Sequence, residues 1–316
     1  MKNKIKIIFI GTAHIATPLL RAISKDDRFE IASVITQIDK PSGRNLELKP
    51  SPVKMIAEEL SLRILQPDSI NDKNCLDEIK KQKPDAMIVM AYGQILSKAI
   101  LGISGEMCFN VHASILPKYR GASPIQSALL NNEKETGISL MKMEEHMDTG
   151  PVYKDFKIKI EESDNSLALT NKLADLAAKN IPDAVYFAIK GDIKPKDQDE
   201  KKATYCTKIA KEDGNIDWSE EAQKISAKIR AFYNWPGTYT FFNGKRLKIL
   251  EAESINMKHD HDPGTVFKTG DKVAVAAKNG IIMPITLQSE GKTSQNINDF
   301  INGNPGFINS KLTSKP

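Results

Sequence analysis

Four short, nearly unbroken apolar runs constrain this chain most: residues 5–10, 31–36, 85–90 and 107–111. Each falls well below the roughly 20 residues a membrane-spanning helix requires. None shows the polar alternation of a strand with one wet face. Such runs suit strands covered on both faces, and helical patterns near 15–24 and 72–82 lie between them. Strands alternating with helices predict an α/β, Rossmann-like domain whose sheet is mostly parallel, with right-handed crossovers. Sites in such sheets lie just past the strand C-termini.

A long loop follows the second run, broken by Pro41, Gly43, Pro50 and Pro52. Ser51-Pro52 opens a helix with proline at its first position. Ile64-Leu65 is a short strand candidate, and a helical pattern runs over 164–190. Residues 190–206 are charged and poor in apolar side chains, which marks a linker. The expected division is therefore a first domain over 1–189, a linker over 190–206 and a second domain over 207–316. In the last part a helix to about Arg230 precedes strand-like runs at 238–242, 246–254, 264–268, 272–277 and 280–287. Asn243-Gly244 separates the first two and signals a hairpin. Five short strands predict a small OB-like β-barrel.

Composition narrows the function classes. The three cysteines, Cys75, Cys108 and Cys206, form no Cys-x-x-Cys pair. That argues against a disulfide scaffold or zinc finger and for a reducing, cytoplasmic setting. The basic start before 5–10 reads as a strand rather than a signal segment, and no membrane association is expected. Lys and Arg number 45 against 40 Asp and Glu, a net charge of +5. Residues 207–316 carry 15 − 12 = +3 and the rest 30 − 28 = +2, so neither part is strongly basic.

The chemistry concentrates after the fourth run, in Asn110-Val111-His112-Ala113-Ser114-Ile115-Leu116-Pro117-Lys118-Tyr119-Arg120-Gly121. Strand alternation sends Asn110 and His112 to one face. An amide donor beside a group that titrates near neutrality can polarise a carbonyl and handle a proton. An isolated pair of this kind is more often a strand-end cap than a site. Two other segments give it weight: Met90-Ala91-Tyr92-Gly93-Gln94-Ile95-Leu96 after the third run, and Met147-Asp148-Thr149-Gly150-Pro151, which adds a carboxylate on a turn.

With these residues the chain resembles the formyltransferases that use 10-formyltetrahydrofolate. Further segments are similar to the branch acting on methionyl initiator tRNA: 36–44, 50–54, Ala122-Ser123-Pro124-Ile125-Gln126 and Arg230-Ala231-Phe232-Tyr233-Asn234-Trp235-Pro236-Gly237. The resemblance runs from about residue 5 to about 305. It implies formyl transfer from the folate to the methionyl α-amine, with Asn110, His112 and Asp148 catalytic. Asn110 and an imidazolium at His112 would donate to the oxyanion, while Asp148 keeps His112 cationic and accepts a proton. It implies a folate site at Met90, Ala91, Tyr92, Gly93, Ile95, Leu96, Ser114, Leu116 and Pro117, and no metal. Contacts to tRNA would come from Lys40, Arg44, Lys118, Arg120, Lys245, Arg246 and Lys248. A monomer is expected, since nothing signals an obligate dimer. Two departures stand out: Gly11-Thr12-Ala13-His14, where the family usually has proline after the Gly-Thr turn, and a loop 37–52 whose net charge is only +1. Alternatives are a formyltransferase acting on an aminosugar nucleotide or glycinamide ribotide, which shares the trio, and a formylfolate hydrolase, in which water replaces the amine; a non-enzymatic RNA-binding module is the reading from another class.

Overall fold

A computed structural model describes residues 4–42 and 47–316. Arg44, one of the expected tRNA contacts, lies outside the described residues. The apolar runs become strands of a seven-stranded sheet: β1 (Ile5–Gly11), β2 (Phe29–Ile35), β3 (Ile64–Leu65), β4 (Ala86–Met90), β5 (Cys108–His112), β6 (Glu135–Lys142) and β7 (Val152–Lys159). Their spatial order is β7-β6-β5-β4-β1-β2-β3. Strands β3, β2, β1, β4 and β5 run parallel, as the continuous apolar runs predict. Ile7, Ile8, Phe9 and Ile10 have no exposed surface, and every residue of β4 is buried.

The sheet differs from an all-parallel one at a single edge. Strand β6 pairs antiparallel with β5, and β7 antiparallel with β6. Strand β7 is an edge strand in which half-buried Phe156 and Ile158 alternate with exposed Lys157 and Lys159. A search for continuous apolar runs therefore passes over it.

The helices follow their local chemistry. Pro52–Glu59 starts with Ser51 as its cap, whose Oγ accepts the Lys54 N–H at 3.0 Å. Lys73–Gln82 packs Cys75 and Ile79 into a cluster with Ile8, Ile10, Met87, Val89, Tyr92 and Leu96. Ser166–Lys190 buries Leu169, Leu173, Ala177, Ile181 and Val185, a four-residue repeat that lays one stripe on the core. The long loop carries a small hairpin, Lys40–Ser42 against Glu47–Lys49.

The chain divides into two compact units. The first takes in residues 1–124, 135–159 and 170–206; the second takes in 125–134, 160–169 and 207–316. Residues 190–206 thus pack within the first unit in spite of their linker-like composition. Tyr205–Cys206 pairs in parallel with Arg120–Gly121.

The second unit is an OB-like antiparallel sheet of β8 (Thr238–Phe242), β9 (Lys245–Ile255), β10 (Val266–Thr269), β11 (Lys272–Ala276) and β12 (Ile281–Ser289), ordered β8-β9-β12-β11-β10. Asn243 and Gly244 have φ of 49° and 72°, the geometry a two-residue hairpin needs. The C-terminal segment bridges both edges, pairing Thr313 with Phe241 and Lys311 with Thr265, which closes the barrel. Helix Ala222–Ala231 contributes Ile225 and Ile229 to a core with Trp218, Leu247, Val275, Leu287, Phe300 and Phe307.

Candidate active site

Strand β5 ends at His112, and alternation places Asn110 and His112 on one face, as expected. The loop that follows turns back sharply, with Leu116-Pro117 cis and Tyr119 at φ 59°. The turn 143–151 between β6 and β7 brings Asp148 to the same place, at φ 56°. Gly150 is required there: a Cβ would lie 2.0 Å from the Lys142 carbonyl oxygen. Gly121 has φ 121°, and a Cβ on it would meet the Cys206 oxygen at 2.1 Å.

These constraints assemble the trio. Asn110 Nδ2 donates to Asp148 Oδ1 at 3.1 Å, and the Gly121 N–H donates to Asp148 Oδ2 at 2.8 Å. His112 Nδ1 stands 3.6 Å from Asp148 Oδ2. His112 Nε2 lies 2.9 Å from the Tyr119 carbonyl oxygen. Because that oxygen only accepts, Nε2 carries a hydrogen and donates it. This geometry alters one expectation. Nε2–H is committed to Tyr119 and Nδ1 faces the carboxylate, so neither ring nitrogen is free to donate to an oxyanion. Asn110 uses one of its two N–H groups on Asp148.

The residues expected to hold the folate fall into two groups. Ala91, Gly93 and Ile95 are exposed after the end of β4. Met90, Tyr92 and Leu96 have buried side chains, and the last two belong to the core cluster under the sheet. Burial pushes the Tyr92 phenol well above its ordinary pKa. At most 4% of each of these three residues is exposed, main chain included, so any ligand contact falls to the exposed residues between them. Even there, Ala91 O accepts the Thr12 and Ala13 N–H groups, and Tyr92 O accepts from Thr12 Oγ1 and Gln37 Nε2. Ser114 has no exposed surface, and its hydroxyl donates to the Lys118 carbonyl at 2.6 Å, so it braces the loop instead of facing a ligand. Leu116 is buried, with its N–H on Ser139 Oγ at 3.0 Å, and half-buried Pro117 gives its carbonyl to Thr204 N–H. Cys108, beside the trio, is no nucleophile, since burial raises its thiol to a pKa of about 12.

Arg120 requires a correction. Expected at the nucleic-acid surface, it has no exposed surface at all. Its guanidinium meets both Glu200 oxygens at 2.9 and 2.7 Å, Gln198 Oε1 at 3.0 and 2.9 Å, and Tyr205 Oη at 3.2 Å. That network holds the Arg120 guanidinium above its ordinary pKa and the Glu200 carboxyl below its own. A fully paired, buried guanidinium has no donor left for a phosphate. Its partners, Gln198, Glu200 and Tyr205, escaped sequence reading because charged composition there signals solvent exposure. Gln198 also donates to the carbonyls of Asp148 and Gly150 at 2.9 and 2.7 Å.

The remaining basic candidates are dispersed. Lys40 and Lys118 are exposed in the first unit. In the second unit Lys245 is exposed beside half-buried Arg246 and Lys248 on β9. The Arg246 guanidinium stacks over the Tyr239 ring at 4.0 Å. Among the described residues, no group of three or more His, Cys, Asp or Glu could hold a metal ion, and no helix is long and apolar enough to cross a membrane.

Residues 3–185 match the formyl transferase family and residues 208–305 the formyl transferase C-terminal domain. The chain is 40% identical over 299 residues to the methionyl-tRNA formyltransferase of Marinobacter nauticus, covering 94% of this chain and 96% of that protein. It is 41% identical over 303 residues to the enzyme of the same name from Dictyoglomus thermophilum, again covering 94% of this chain and 96% of the relative. Among solved structures, an N-formyltransferase from Helicobacter canadensis in complex with folinic acid and dTDP-3-aminofucose superposes with a TM-score of 0.68. That pair is 18% identical and covers 91% of this chain and 100% of the other, a likeness of fold. The family matches and the similarity over 94% of the chain agree: the chain belongs to the formyltransferase family, on the branch of the methionyl-tRNA formyltransferases.

Proposed function

We propose that this protein transfers a formyl group from 10-formyltetrahydrofolate to the α-amine of methionine on initiator tRNA, in the cytoplasm and as a monomer. The observation that carries the reading is the convergence of Asn110, His112 and Asp148 at the end of β5, in a chain similar to methionyl-tRNA formyltransferases over nearly its whole length.

In this mechanism the methionyl amine attacks the formyl carbon and the formyl oxygen gains negative charge. The free N–H of Asn110 donates to that oxygen. A single donor of this type is worth about 10²–10³ in rate in other enzymes. The attacking nitrogen must lose a proton, and the His112–Asp148 pair receives it. Asp148 holds lone pairs beyond those used on Asn110 and Gly121. His112 Nδ1 faces the carboxylate and can share the proton, while the Tyr119 carbonyl fixes the ring. The exposed residues Ala91, Gly93 and Ile95 offer a platform for the flat pterin, with Ile95 supplying an apolar wall. The C–N bond to the folate then breaks, and the proton returns to the folate nitrogen.

On the nucleic-acid side, Lys40 and Lys118 and the β9 stripe of Lys245, Arg246 and Lys248 are the phosphate contacts we assign.

The test offers 10-formyltetrahydrofolate with initiator Met-tRNA, with an aminosugar nucleotide, or with water alone. Consumption dependent on Met-tRNA is the expected result. Turnover with either of the others alone would replace the reading. Asn110→Ala should abolish most turnover with the fold retained; near-wild-type activity would remove Asn110 from the mechanism.

A further inference from the structure

Two separate segments complete the site around Asn110 and His112 of β5: the loop 113–121, which supplies the carbonyl of Tyr119 and the N–H of Gly121, and the turn 143–151, which supplies Asp148. One side chain spans both. Gln198 Nε2 donates to the carbonyls of Asp148 and Gly150, and its Oε1 accepts from Arg120 Nε and Nη2. Arg120 sits between Tyr119 and Gly121, so the guanidinium that grips Gln198 belongs to the loop that orients His112 and Asp148. Asp148 has φ 56°, a left-handed conformation that is open to Asp at some cost and is held by local constraints. The Gln198 amide bonded to its carbonyl is one such constraint.

We propose that Gln198, anchored by Arg120, is a positioning residue for formyl transfer, setting the register of Asp148 against Asn110 and His112. The inference rests on those three acting as the catalytic trio. Gln198 touches no reacting atom in this scheme; it acts through the Asp148 main chain.

The two ends of the amide can be separated. Gln198→Glu keeps an acceptor for Arg120 but sets a carboxylate against two carbonyl oxygens, while Gln198→Ala removes both arms. Misplacing a catalytic group by about 1 Å can cost up to about 10²-fold in rate. Both variants should therefore lower kcat by about 10–100-fold, with KM for each substrate within about threefold of wild type and an altered pH profile of kcat. Dissociation of 5-formyltetrahydrofolate, followed by fluorescence, should stay unchanged, while amide hydrogen exchange should quicken at 147–150. Wild-type kcat in Gln198→Glu would overturn the proposal, because only the Arg120 arm would then matter. So would a loss of kcat with an unchanged pH profile and no local gain in exchange. If the wild-type protein forms no formyl-methionyl-tRNA, the functional reading fails on its own, and the exchange measurement still tests the coupling.

Discussion

His112 donates Nε2–H to the main-chain oxygen of Tyr119 at 2.9 Å, and this bond turns the other ring nitrogen toward Asp148. His112→Gln separates the two duties of the ring. A glutamine amide can still donate to the Tyr119 carbonyl but cannot take a proton. If proton handling is the essential duty, His112→Gln and His112→Ala should lose similar activity, about 10²–10⁴-fold in kcat. Thermal unfolding should differ little between wild type and the glutamine variant. Recovery of most activity in the glutamine variant would limit His112 to a structural bond.

Arg120 is the second case. Replacing it with lysine keeps the charge but loses the planar fork that meets Gln198 and Glu200 together. Arg120→Lys should destabilise the fold by about 1–3 kcal/mol, because the Gln198 acceptor loses its donors inside the protein. It should also lower kcat through the Asp148 turn. The slope of log affinity for tRNA against log salt should not move. Denaturant unfolding and a salt titration of binding read the two effects separately; a slope reduced by about one unit would return Arg120 to the phosphate-binding set.

Much of the first unit was legible because buried parallel strands are written as continuous apolar runs, and β1, β2, β4 and β5 are of that kind. Asn110 and His112 were legible for a related reason: a strand of period two sends both to one face. Strand β7 was not, since its lysines hide a half-buried edge. Gln198 and Glu200 were hidden by composition. Their partner is a buried arginine 78 and 80 residues earlier in the chain, and no local pattern reports such a pairing. For the same reason Arg120 reads as a surface cation in sequence, while burial and four partner atoms make it an internal brace.

The stripe on β9 makes a prediction of the opposite kind. If Lys245, Arg246 and Lys248 meet phosphates, as we propose, alanine at each should reduce the salt slope of tRNA binding by about one unit for every phosphate left unneutralised. kcat at saturating tRNA should stay at the wild-type value, since none of them belongs to the trio. Arg246→Ala should weaken binding most if stacking on Tyr239 holds its guanidinium in place. An unchanged slope in all three variants would move the interface elsewhere.

Acid should loosen the brace in a defined direction. Glu200 has its carboxyl held below the ordinary value of 4.5, chiefly by the hydrogen bond from Arg120. A carboxyl depressed in the folded state contributes stability that is fully present above the unfolded value, and this is lost as pH falls through the folded one. Glu200→Gln removes that contribution. The stability difference between wild type and variant should therefore be constant above about pH 5 and shrink as the solution is acidified further. Urea midpoints measured in steps from pH 7 downward provide the comparison. A difference that widened on acidification would mean that Glu200 is held protonated in the fold and that Arg120 is not its charge partner.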